Sequence, residues 1–410
     1  MFRLAVIFES SPFDRKGLFN AVHQRVSHLL ADGNIAVDIF CLHSRDNAFT
    51  RRIRKTPEVP DMQEVMIDGI RYRLLWHDFS VTDNILTEKL HCGPLFFTRF
   101  IRKIASILKD YDCVSAHSYE GGLAALEARK RFGTKYYVTW HGSDIHTRPW
   151  QNSYVMKRTR EIASSAMMNF YVSDSLRKIG ERIAPDVPSD VLYNGVSERF
   201  VKLSPSERLA CRKEAGLPAD RKVVAYAGNF HRVKNVLAIP GIIENVMELY
   251  DRPVTFLIVG DGKQRAKLLD KAYELASVGP VSVDSPWRGP VVCAGARAEI
   301  RFTGNLKPAN MPRLMNCIDV LMLPSLNEGC PLVCAEAVNS GAAVVGSDVC
   351  GIPDIIGKDY CVPLGDGFES GMALKIADIL ENGACQSVPA CLDWNATAVK
   401  ELSFLKSVGA

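Results

Sequence analysis

Short apolar runs alternate with amphipathic stretches at the start of the chain. Residues 4–8 form an apolar run that ends in a polar loop, and residues 18–31 carry apolar side chains at helical spacing. Residues 35–42 form the next apolar run. This pattern predicts a strand, a helix and a second strand. Residues 65–76 are typical of two strands joined by the hairpin-turn signal Asp68-Gly69.

The alternation continues along the chain and restarts near Arg221. In the first part it predicts helices at 95–108 and 122–131 and strands at 113–116, 136–139, 169–172 and 190–192. In the second part it predicts helices at 236–250, 309–317 and 331–340 and strands at 223–227, 254–259, 300–303, 320–324, 343–346 and 361–363. Alternating strands and helices favour α/β domains with mostly parallel sheets. The stretch 277–297 is rich in Gly and Pro, which predicts a long loop.

Composition excludes several classes of protein. The 410 residues are 47% hydrophobic and 23% charged, as expected for a globular chain of two or three domains. The N-terminus has no recognisable secretory signal, no apolar run is long enough for a membrane helix, and the 12 cysteines show no disulfide framework. We therefore expect a cytoplasmic protein with reduced thiols. The net charge of +4 is too small to predict nucleic-acid binding.

The segment with the most chemical information runs from residue 324 to residue 337. A predicted strand ends here, a loop carries Glu328 and Gly329, and Pro331 suits the first position of the following helix. The first amides of such a helix favour an anionic or hydroxyl-rich ligand. Glu336, one turn further on, is placed to accept hydrogen bonds from a vicinal diol. The alternative interpretation is that Glu336 stabilises the helix start and Glu328 is solvated.

This segment resembles the retaining family-four glycosyltransferases. The similarity is carried by Glu328-x7-Glu336 with the glycines and proline around it, and by Gly351-Ile352-Pro353-Asp354 further on. It extends over most of the chain, in the family's order, through His141-Gly142-Ser143-Asp144, Asn194-Gly195-Val196, Val259-Gly260-Asp261-Gly262 and Phe302-Thr303-Gly304. The resemblance implies the glycosyltransferase-B fold, an α/β architecture of two Rossmann-like domains facing each other across a cleft. Residues 1–197, joined by the C-terminal helix 392–410, would bind the acceptor, and residues 198–391 the nucleotide sugar.

The family's donor-binding residues are carried over by motif. Glu336 would hold the ribose hydroxyls and Glu328 a hydroxyl of the donor sugar, while Lys234 would stabilise the leaving nucleoside diphosphate. Contacts to the sugar and the phosphates would come from Gly329, Cys330, Pro331, Leu332 and Val333. The loop at Gly260 would line the nucleotide pocket. Asn229 departs from the family, which usually has arginine there, and Arg232 would supply the second cation. The alternative for Lys234 is an exposed residue at a helix start.

The resemblance also assigns residues in the first domain. Gly17 would let the backbone approach the donor diphosphate or the acceptor, with Lys16 adding positive charge for the acceptor. His141 matches the family's active-site histidine, and Asp144 would bind the acceptor. Plain alternatives exist: Gly17 as a turn glycine, His141 as a structural residue, and Asp144 as a helix cap or as the group that orients His141.

We therefore predict a retaining glycosyltransferase that moves a hexose-type sugar from a nucleoside diphosphate sugar to a glycan or lipid-linked acceptor, in polysaccharide or cell-envelope glycan synthesis. It would need no cofactor and no metal. A nucleotide-sugar epimerase and a non-catalytic nucleotide- or glycan-binding subunit remain as alternatives.

The stretches 51–55 and 95–104 mix basic and apolar residues in a half of the chain that has 28 Lys+Arg and 23 Asp+Glu. They predict either peripheral contact with an anionic membrane or, at 95–104, a helix that covers the sheet.

Overall fold

The structure is a computed structural model that describes residues 1–13, 17–46, 50–52, 62–275, 291–294 and 297–409. It divides into two compact units. The first comprises Met1–Gly195 with Asp393–Ala410, and the second comprises Val196–Leu392. The predicted limits, 197/198 and 391/392, lie within two residues of these divisions. The prediction of two α/β units with mostly parallel sheets is confirmed.

The described residues of the first unit form a sheet of eight strands in the order β3-β4-β2-β1-β5-β6-β7-β8. Its strands are β1 Phe2–Glu9, β2 Ile35–Arg45, β3 Glu64–Ile67, β4 Ile70–Asp78, β5 Cys113–His117, β6 Tyr136–Trp140, β7 Asn169–Tyr171 and β8 Ser189–Val191. All neighbouring pairs are parallel except the hairpin of β3 and β4, whose turn residues Asp68 and Gly69 have φ angles of 49° and 80°. Two successive positive φ angles are the signature of the tight turn that the Asp-Gly pair predicted.

Helices pack against this sheet. They are α1 Gly17–Leu30, α2 Val81–Asn84, α3 Phe96–Leu108, α4 Ser118–Phe132, α5 Ser143–His146, α6 Arg148–Gln151, α7 Ser153–Ser165 and α8 Asp174–Ile183, and a π-helical turn covers Ile85–Lys89. The central strand β1 is buried from Leu4 to Phe8, and the apolar stripe of α1, which includes Val22 and Val26, belongs to the same core. The apolar side chains of the strand and the apolar stripe of the helix therefore pack into one hydrophobic core.

The described residues of the second unit form a sheet of seven strands in the order β11-β12-β10-β9-β13-β14-β15. These are β9 Lys222–Ala227, β10 Val254–Val259, β11 Val291–Ala294, β12 Ala298–Gly304, β13 Val320–Leu323, β14 Ala343–Ser347 and β15 Cys361–Val362. The helices are α9 Pro205–Glu214, α10 Ile239–Leu249, α11 Arg265–Glu274, α12 Met311–Cys317, α13 Leu332–Asn339, α14 Ile352–Ile356 and α15 Phe368–Asn382. Short 3-10 turns cover Arg232–Lys234, Val236–Ala238, Pro308–Asn310 and Lys358–Tyr360.

Part of the predicted loop 277–297 is a strand. β11 pairs with β12 in the antiparallel sense and forms an edge of the otherwise parallel sheet. Val291 and Val292 are β-branched, and this local strand preference outweighed the flanking Gly and Pro residues that predicted a loop. Residues 277–290, 295 and 296 lie outside the described residues.

The C-terminal helix α16, Trp394–Gly409, packs on the first unit through a buried ion pair. Arg25 Nε of α1 lies 2.7 Å from Glu401 Oε2, and the two side chains are 2% and 0% exposed. The other carboxylate oxygen of Glu401 accepts a 2.5 Å hydrogen bond from the Tyr137 hydroxyl of β6, and the Arg25 guanidinium donates to Thr139 Oγ1. A charged pair of this kind joins two helices and a strand that are far apart in sequence.

Removing one partner of this pair is expected to destabilise the first unit. Glu401→Ala leaves the Arg25 guanidinium buried without its counter-charge, which costs about 3–5 kcal/mol of unfolding free energy. Lys400→Ala is the control, because Lys400 pairs with Asp190 at an exposed site on the same helix and its loss should cost less than about 1 kcal/mol. Urea denaturation followed by tryptophan fluorescence compares the two. Equal midpoints would show that the buried pair does not hold the helix.

Candidate functional site

Strand order reverses in each unit, and the predicted site residues gather beside these reversals. In the second unit the order changes direction between β9 and β13, since β10 lies on one side of β9 and β14 on the far side of β13. In the first unit it changes direction between β1 and β5. Ligands of open α/β sheets bind outside the carboxyl ends of the strands at such points. The loops that follow β9 and β13 carry Lys234 and Glu328, and the loop that follows β1 leads to Gly17.

A 3-10 turn places Lys234 beside the carboxyl end of β9. The turn, Arg232–Lys234, ends at Asn235, whose φ of 51° reverses the chain before the next helix. The Tyr226 hydroxyl donates to the carbonyl of Asn229 at 3.1 Å and so fixes the start of this loop. The side chains of Asn229 and Arg232 are exposed, whereas Lys234 is partly buried. Lys234 contacts another predicted site residue, Glu328.

Two glycines bring the loop after β10 against the loop after β9. Gly260 has a φ of 131°, and a Cβ there would lie 1.9 Å from the carbonyl oxygen of Gly228. Gly262 has a φ of 156°, and a Cβ there would lie 2.7 Å from the carbonyl oxygen of Phe230. Side chains at these positions would collide with backbone, so the motif is required for contact between the two loops. This packing explains the glycines without a ligand, and contact of Gly260 with a nucleotide remains a prediction.

Lys234, Glu328 and Ser325 form a compact charged cluster. Lys234 Nζ lies 2.6 Å from Glu328 Oε1, and the Ser325 hydroxyl donates to the same oxygen at 2.8 Å. Ser325 is fully buried and the Glu328 side chain is 10% exposed. The Leu326 amide also donates to the carbonyl of Val233, so backbone joins the two loops as well. Because Oε1 of Glu328 already accepts from Lys234 and Ser325, Oε2 is the carboxylate oxygen left for a ligand hydroxyl.

The helix α13 begins immediately after this cluster. It starts at Leu332, so Pro331 is the residue that precedes the first turn and not, as predicted, its first member. The carbonyl of Pro331 accepts from the Cys334 amide, which begins the helical hydrogen bonding. The amides of Leu332 and Val333 belong to the first turn and have no carbonyl four residues earlier within the helix. Gly329 and Cys330 are partly buried in the preceding loop. These positions suit the predicted contacts to a sugar or phosphate, which remain predictions.

Glu336 lies one turn into α13 and is electrostatically perturbed. Burial raises the pKa of its carboxyl to about 7, against a smaller lowering by the positive charge of Arg199. Glu336 therefore binds a proton close to neutral pH. A ligand hydroxyl that donates to the carboxylate would favour the ionised form, so the position suits the predicted ribose contact, which remains a prediction.

In the first unit, His141 follows β6 and is held by its neighbours. Its Nε2 lies 3.0 Å from Nδ1 of His117, which ends β5. The Asp144 carboxylate accepts hydrogen bonds from the amides of His141 and Gly142, at 3.1 and 2.7 Å. Asp144 is buried, and burial raises its pKa while these amides lower it. In this structure Asp144 orients the His141 loop, which was one of the alternatives; acceptor binding by Asp144 stays a prediction.

Both histidines are neutral in this environment. Burial, and then the positive charge of Arg25, lowers the pKa of His141 to about 3. The same two causes, with His141 as a third, hold the pKa of His117 well below its usual value. His141 therefore has one donor nitrogen and one acceptor nitrogen across the physiological range and is not a charged imidazolium, and its Nε2 is already paired with His117.

Gly17 is the first residue of α1, and no described residue lies within 4 Å of a Cβ built on it. Packing within the described part of the chain does not require a glycine there, and close approach of a ligand remains a prediction. Lys16 lies outside the described residues, so the structure does not place it.

Two family models match this chain. Residues 17–200 match the model described as Glycosyltransferase Family 4, and residues 221–382 match the model described as Glycosyl transferases group 1. Together they cover both units and include His141, Lys234 and the two glutamates. The chain belongs to the family-four glycosyltransferases. The resemblance seen in the glutamate segment is thereby confirmed.

Similar sequences carry glycosyltransferase names. TuaC of Bacillus subtilis, named as a teichuronic acid biosynthesis glycosyltransferase, is 26% identical over 65% of this chain and 62% of its own length. The 2-deoxystreptamine glucosyltransferase of Streptomyces kanamyceticus is 30% identical over 41% of this chain and 39% of its own length. A D-inositol 3-phosphate glycosyltransferase of a Nocardioides species is 25% identical over 86% of this chain and 76% of its own length. The match thus spans less than two thirds of the first two relatives.

Solved structures show the same fold at lower identity. Sucrose-phosphate synthase from Thermosynechococcus elongatus superposes with a TM-score of 0.74 at 16% identity, over 100% of this chain and 99% of that one. HepE of Anabaena, solved in complex with UDP and glucose, superposes with a TM-score of 0.68 at 16% identity, over 99% of this chain and 100% of that one. These likenesses confirm the glycosyltransferase-B fold.

Two residues of these clusters were not predicted from the sequence. Ser325 precedes Glu328 by three positions in the same loop, and only the structure shows that its hydroxyl reaches the carboxylate. His117 ends an apolar run, as His141 does, and that shared pattern of a polar residue at a strand end is the signal that would have found it.

The neutrality of His141 predicts a pH-dependent stability. Its pKa is lower in the folded chain than in the unfolded chain, so the unfolded chain takes up the extra proton and stability falls as the pH drops below about 6.5. The difference in unfolding free energy between the wild type and His141→Asn should change by about 1.4 kcal/mol per pH unit below that point. Denaturant unfolding at several pH values measures this difference. A difference that does not vary with pH would contradict a neutral buried His141.

Proposed function

We propose that this protein is a retaining glycosyltransferase that moves a sugar from a nucleoside diphosphate sugar to a glycan or lipid-linked acceptor in cell-envelope or other polysaccharide synthesis. The observation that carries the proposal is the cluster of Lys234, Glu328 and Ser325 at the start of α13, beside the strand-order reversal of the second unit. This cluster combines a cation for a leaving phosphate with a carboxylate for a sugar hydroxyl. Membership of the glycosyltransferase family supports the assignment.

The cluster suggests how a donor would be bound. Negative charge develops on the diphosphate as the glycosidic bond breaks, and Lys234 with the first-turn amides of α13 would stabilise it. In the structure Lys234 is paired with Glu328, so donor binding would exchange that partner for the diphosphate. Glu328 Oε2 would then accept from a sugar hydroxyl, and Glu336 from the ribose. Because protein groups supply the positive charge, we expect turnover without a divalent metal.

His141 would act as a neutral partner. With a pKa of about 3, its imidazole is suited to exchange hydrogen bonds with a hydroxyl of the donor sugar or the acceptor, not to supply a proton. Retention would then follow from attack on the same face of the sugar, with the leaving phosphate accepting the acceptor's proton. On this account the protein needs no nucleophile.

The names of the relatives leave the substrates open. Those names mention teichuronic acid, 2-deoxystreptamine and D-inositol 3-phosphate, which differ widely in charge. HepE was solved with UDP and with UDP-glucose, which makes the uridine nucleotides the first donors to test here. A thermal-shift screen against UDP, GDP and ADP would identify the donor class, since a ligand at 100 times its dissociation constant adds about 2.7 kcal/mol of stability.

Turnover should depend on Lys234. With the donor identified by that screen, Lys234→Ala is expected to lower kcat about 100-fold or more, because one charge on the leaving group is no longer stabilised. Lys213→Ala, at an exposed position of α9, is the matched control and should leave kcat unchanged. Assays in EDTA test the metal, and proton NMR of the new linkage identifies the anomer. Full activity of Lys234→Ala or an inverted product would refute the proposed mechanism, and donor binding without any transfer would favour the non-catalytic alternative.

A peripheral contact with membrane is a second part of the proposal. The helix α3 buries Ile101, Ile104, Ala105 and Leu108 against the first unit, as the sheet-covering interpretation expects. Its start and the turn before it nevertheless leave large apolar side chains exposed, namely Ile85, Leu90, Leu95 and Phe96. The same stretch of chain also has four exposed cations, namely Lys89, Arg99, Arg102 and Lys103. Exposed apolar side chains and exposed cations on the same stretch suit an anionic lipid surface, which would bring the enzyme to a lipid-linked acceptor. No described helix has the length and apolar character needed to span a bilayer. Of the predicted cationic run 51–55, residues 53–55 lie outside the described residues.

Sedimentation with vesicles tests this contact. The wild type should sediment at low salt with vesicles that contain phosphatidylserine and not with pure phosphatidylcholine vesicles, because the cations need anionic lipid. The double variant Leu95→Ser/Phe96→Ser should lose this binding, while Leu374→Ser, at an exposed apolar position of the second unit, should keep it. Sedimentation that does not depend on anionic lipid, or none at all, would refute the membrane contact.

A further inference from the structure

A cavity of about 180 Å³ opens at the carboxyl edge of the first unit's sheet. Glu9 at the end of β1, His77 in β4, and Glu120 in the first turn of α4 line it. β1 and β5 are the strands between which the order reverses, and α4 follows β5 directly. The cavity is therefore at the position where an open α/β sheet binds small molecules. Apart from Phe97, in the stretch 95–104 considered for membrane contact, none of its lining residues was predicted to be functional.

Carboxylates dominate the charged groups of this cavity. They are Glu9, Asp78, Asp83, Glu88 and Glu120. Two of them are satisfied by the protein. Asp78 lies 2.6 Å from the Arg45 guanidinium, and Asp83 accepts hydrogen bonds from the backbone amides that begin α3.

Two of the other three share one guanidinium, and the third lies beside an imidazole. Arg148 donates to Glu120 and lies 3.9 Å from Glu88. Glu9 has His77 Nε2 at 3.5 Å, with its side chain one-third exposed. Burial, and then the negative charge of Glu9, raises the pKa of Glu120, while Arg148 lowers it. Among the described residues that line the cavity there are five carboxyl groups and one guanidinium, that of Arg148.

Aromatic side chains complete the walls. Phe97, Tyr119 and Tyr154 line the cavity. Tyr119 is 3% exposed, and its buried hydroxyl has no hydrogen-bond partner among the described residues. The Arg148 guanidinium lies over the Tyr119 ring at 4.9 Å.

We propose that this cavity binds the sugar acceptor and selects one that carries a protonated amine beside its hydroxyl groups, such as an amino sugar or an aminocyclitol. The inference rests on the proposed transfer function and names the acceptor class. An ammonium group near Glu9 and Glu120 would supply the missing positive charge, and aromatic faces favour organic cations. A phosphate or carboxylate on the acceptor would meet like charges and be rejected. The volume is below the range of about 300–1,000 Å³ typical of drug-sized ligands, so one sugar ring is the expected occupant.

Calorimetric titration of the purified protein with three matched sugars tests the proposal. Glucosamine should bind, N-acetylglucosamine should bind at least about tenfold more weakly, and glucose 6-phosphate should show no binding, because only glucosamine presents the ammonium group. Glu9→Gln and Glu120→Gln should each weaken glucosamine about tenfold or more and reduce the preference over N-acetylglucosamine. Glu127→Gln, on the same helix but paired with Arg102 outside the cavity, should bind like the wild type. Glu9 is partly exposed, so its variant tests the cavity even if Glu120→Gln fails to fold.

Several outcomes would overturn the inference. These are absence of glucosamine binding, equal or tighter binding of glucose 6-phosphate, or displacement of glucosamine by magnesium chloride, which would mark a metal site. Titration of UDP, GDP and ADP into the same preparation distinguishes failure of the acceptor proposal from failure of the proposed transfer function. Nucleotide binding without glucosamine binding would agree with the proposed function and refute an amine-bearing acceptor. Glucosamine binding by a protein that binds none of these nucleotides would support the cavity as an amino-sugar site and refute the proposed transfer function.

Discussion

The reversal of strand order in each sheet is the constraint on which the rest of the structure depends. All strands of a parallel sheet end at the same edge, and where the order reverses the neighbouring connections leave to opposite faces and open a crevice. In the second unit β9 and β13 flank the reversal, and their loops carry Lys234 and Glu328. In the first unit β1 and β5 flank it; Glu9 ends β1, and Glu120 lies in the helix that follows β5. Residues far apart in sequence therefore meet without any motif that joins them.

Charge in the interior links stability to chemistry in the first unit. Arg25 is buried and paired with Glu401, which fixes the C-terminal helix to α1 and β6. The same guanidinium lowers the pKa of His117 and His141 and so helps to keep them neutral. One side chain thus serves the fold and sets the protonation state of the candidate active-site histidine. Because that charge is shielded from water, its effect is strong at short range.

In the second unit the cation and the carboxylate are balanced before any ligand binds. Lys234 and Glu328 form a short ion pair that Ser325 reinforces, so each group is held in place but already has a partner. The first unit's cavity is the opposite case, since its described lining has five carboxyl groups and one guanidinium. A ligand of the Lys234–Glu328 cluster must replace an existing interaction. A cationic ligand of the first unit's cavity would instead pair with carboxyl groups that outnumber the guanidinium of that described lining.

The sequence alone determined the family and most of the strands, because apolar periodicity and the spacing from Glu328 to Glu336 are local properties of the chain. Resemblance to that family then named Lys234, Glu336 and His141 as candidates, and the positions of Glu336 near a helix start and of His141 at a strand end supported two of them. It missed β11, where strand preference opposed a Gly- and Pro-rich context, and it misplaced Pro331 by one position, because helix ends depend on backbone geometry that composition does not show. Only the tertiary structure paired Arg25 with Glu401, placed Ser325 on Glu328 and gathered carboxylates around a cavity. Those contacts join distant segments, and their energies depend on burial, which a linear pattern does not encode.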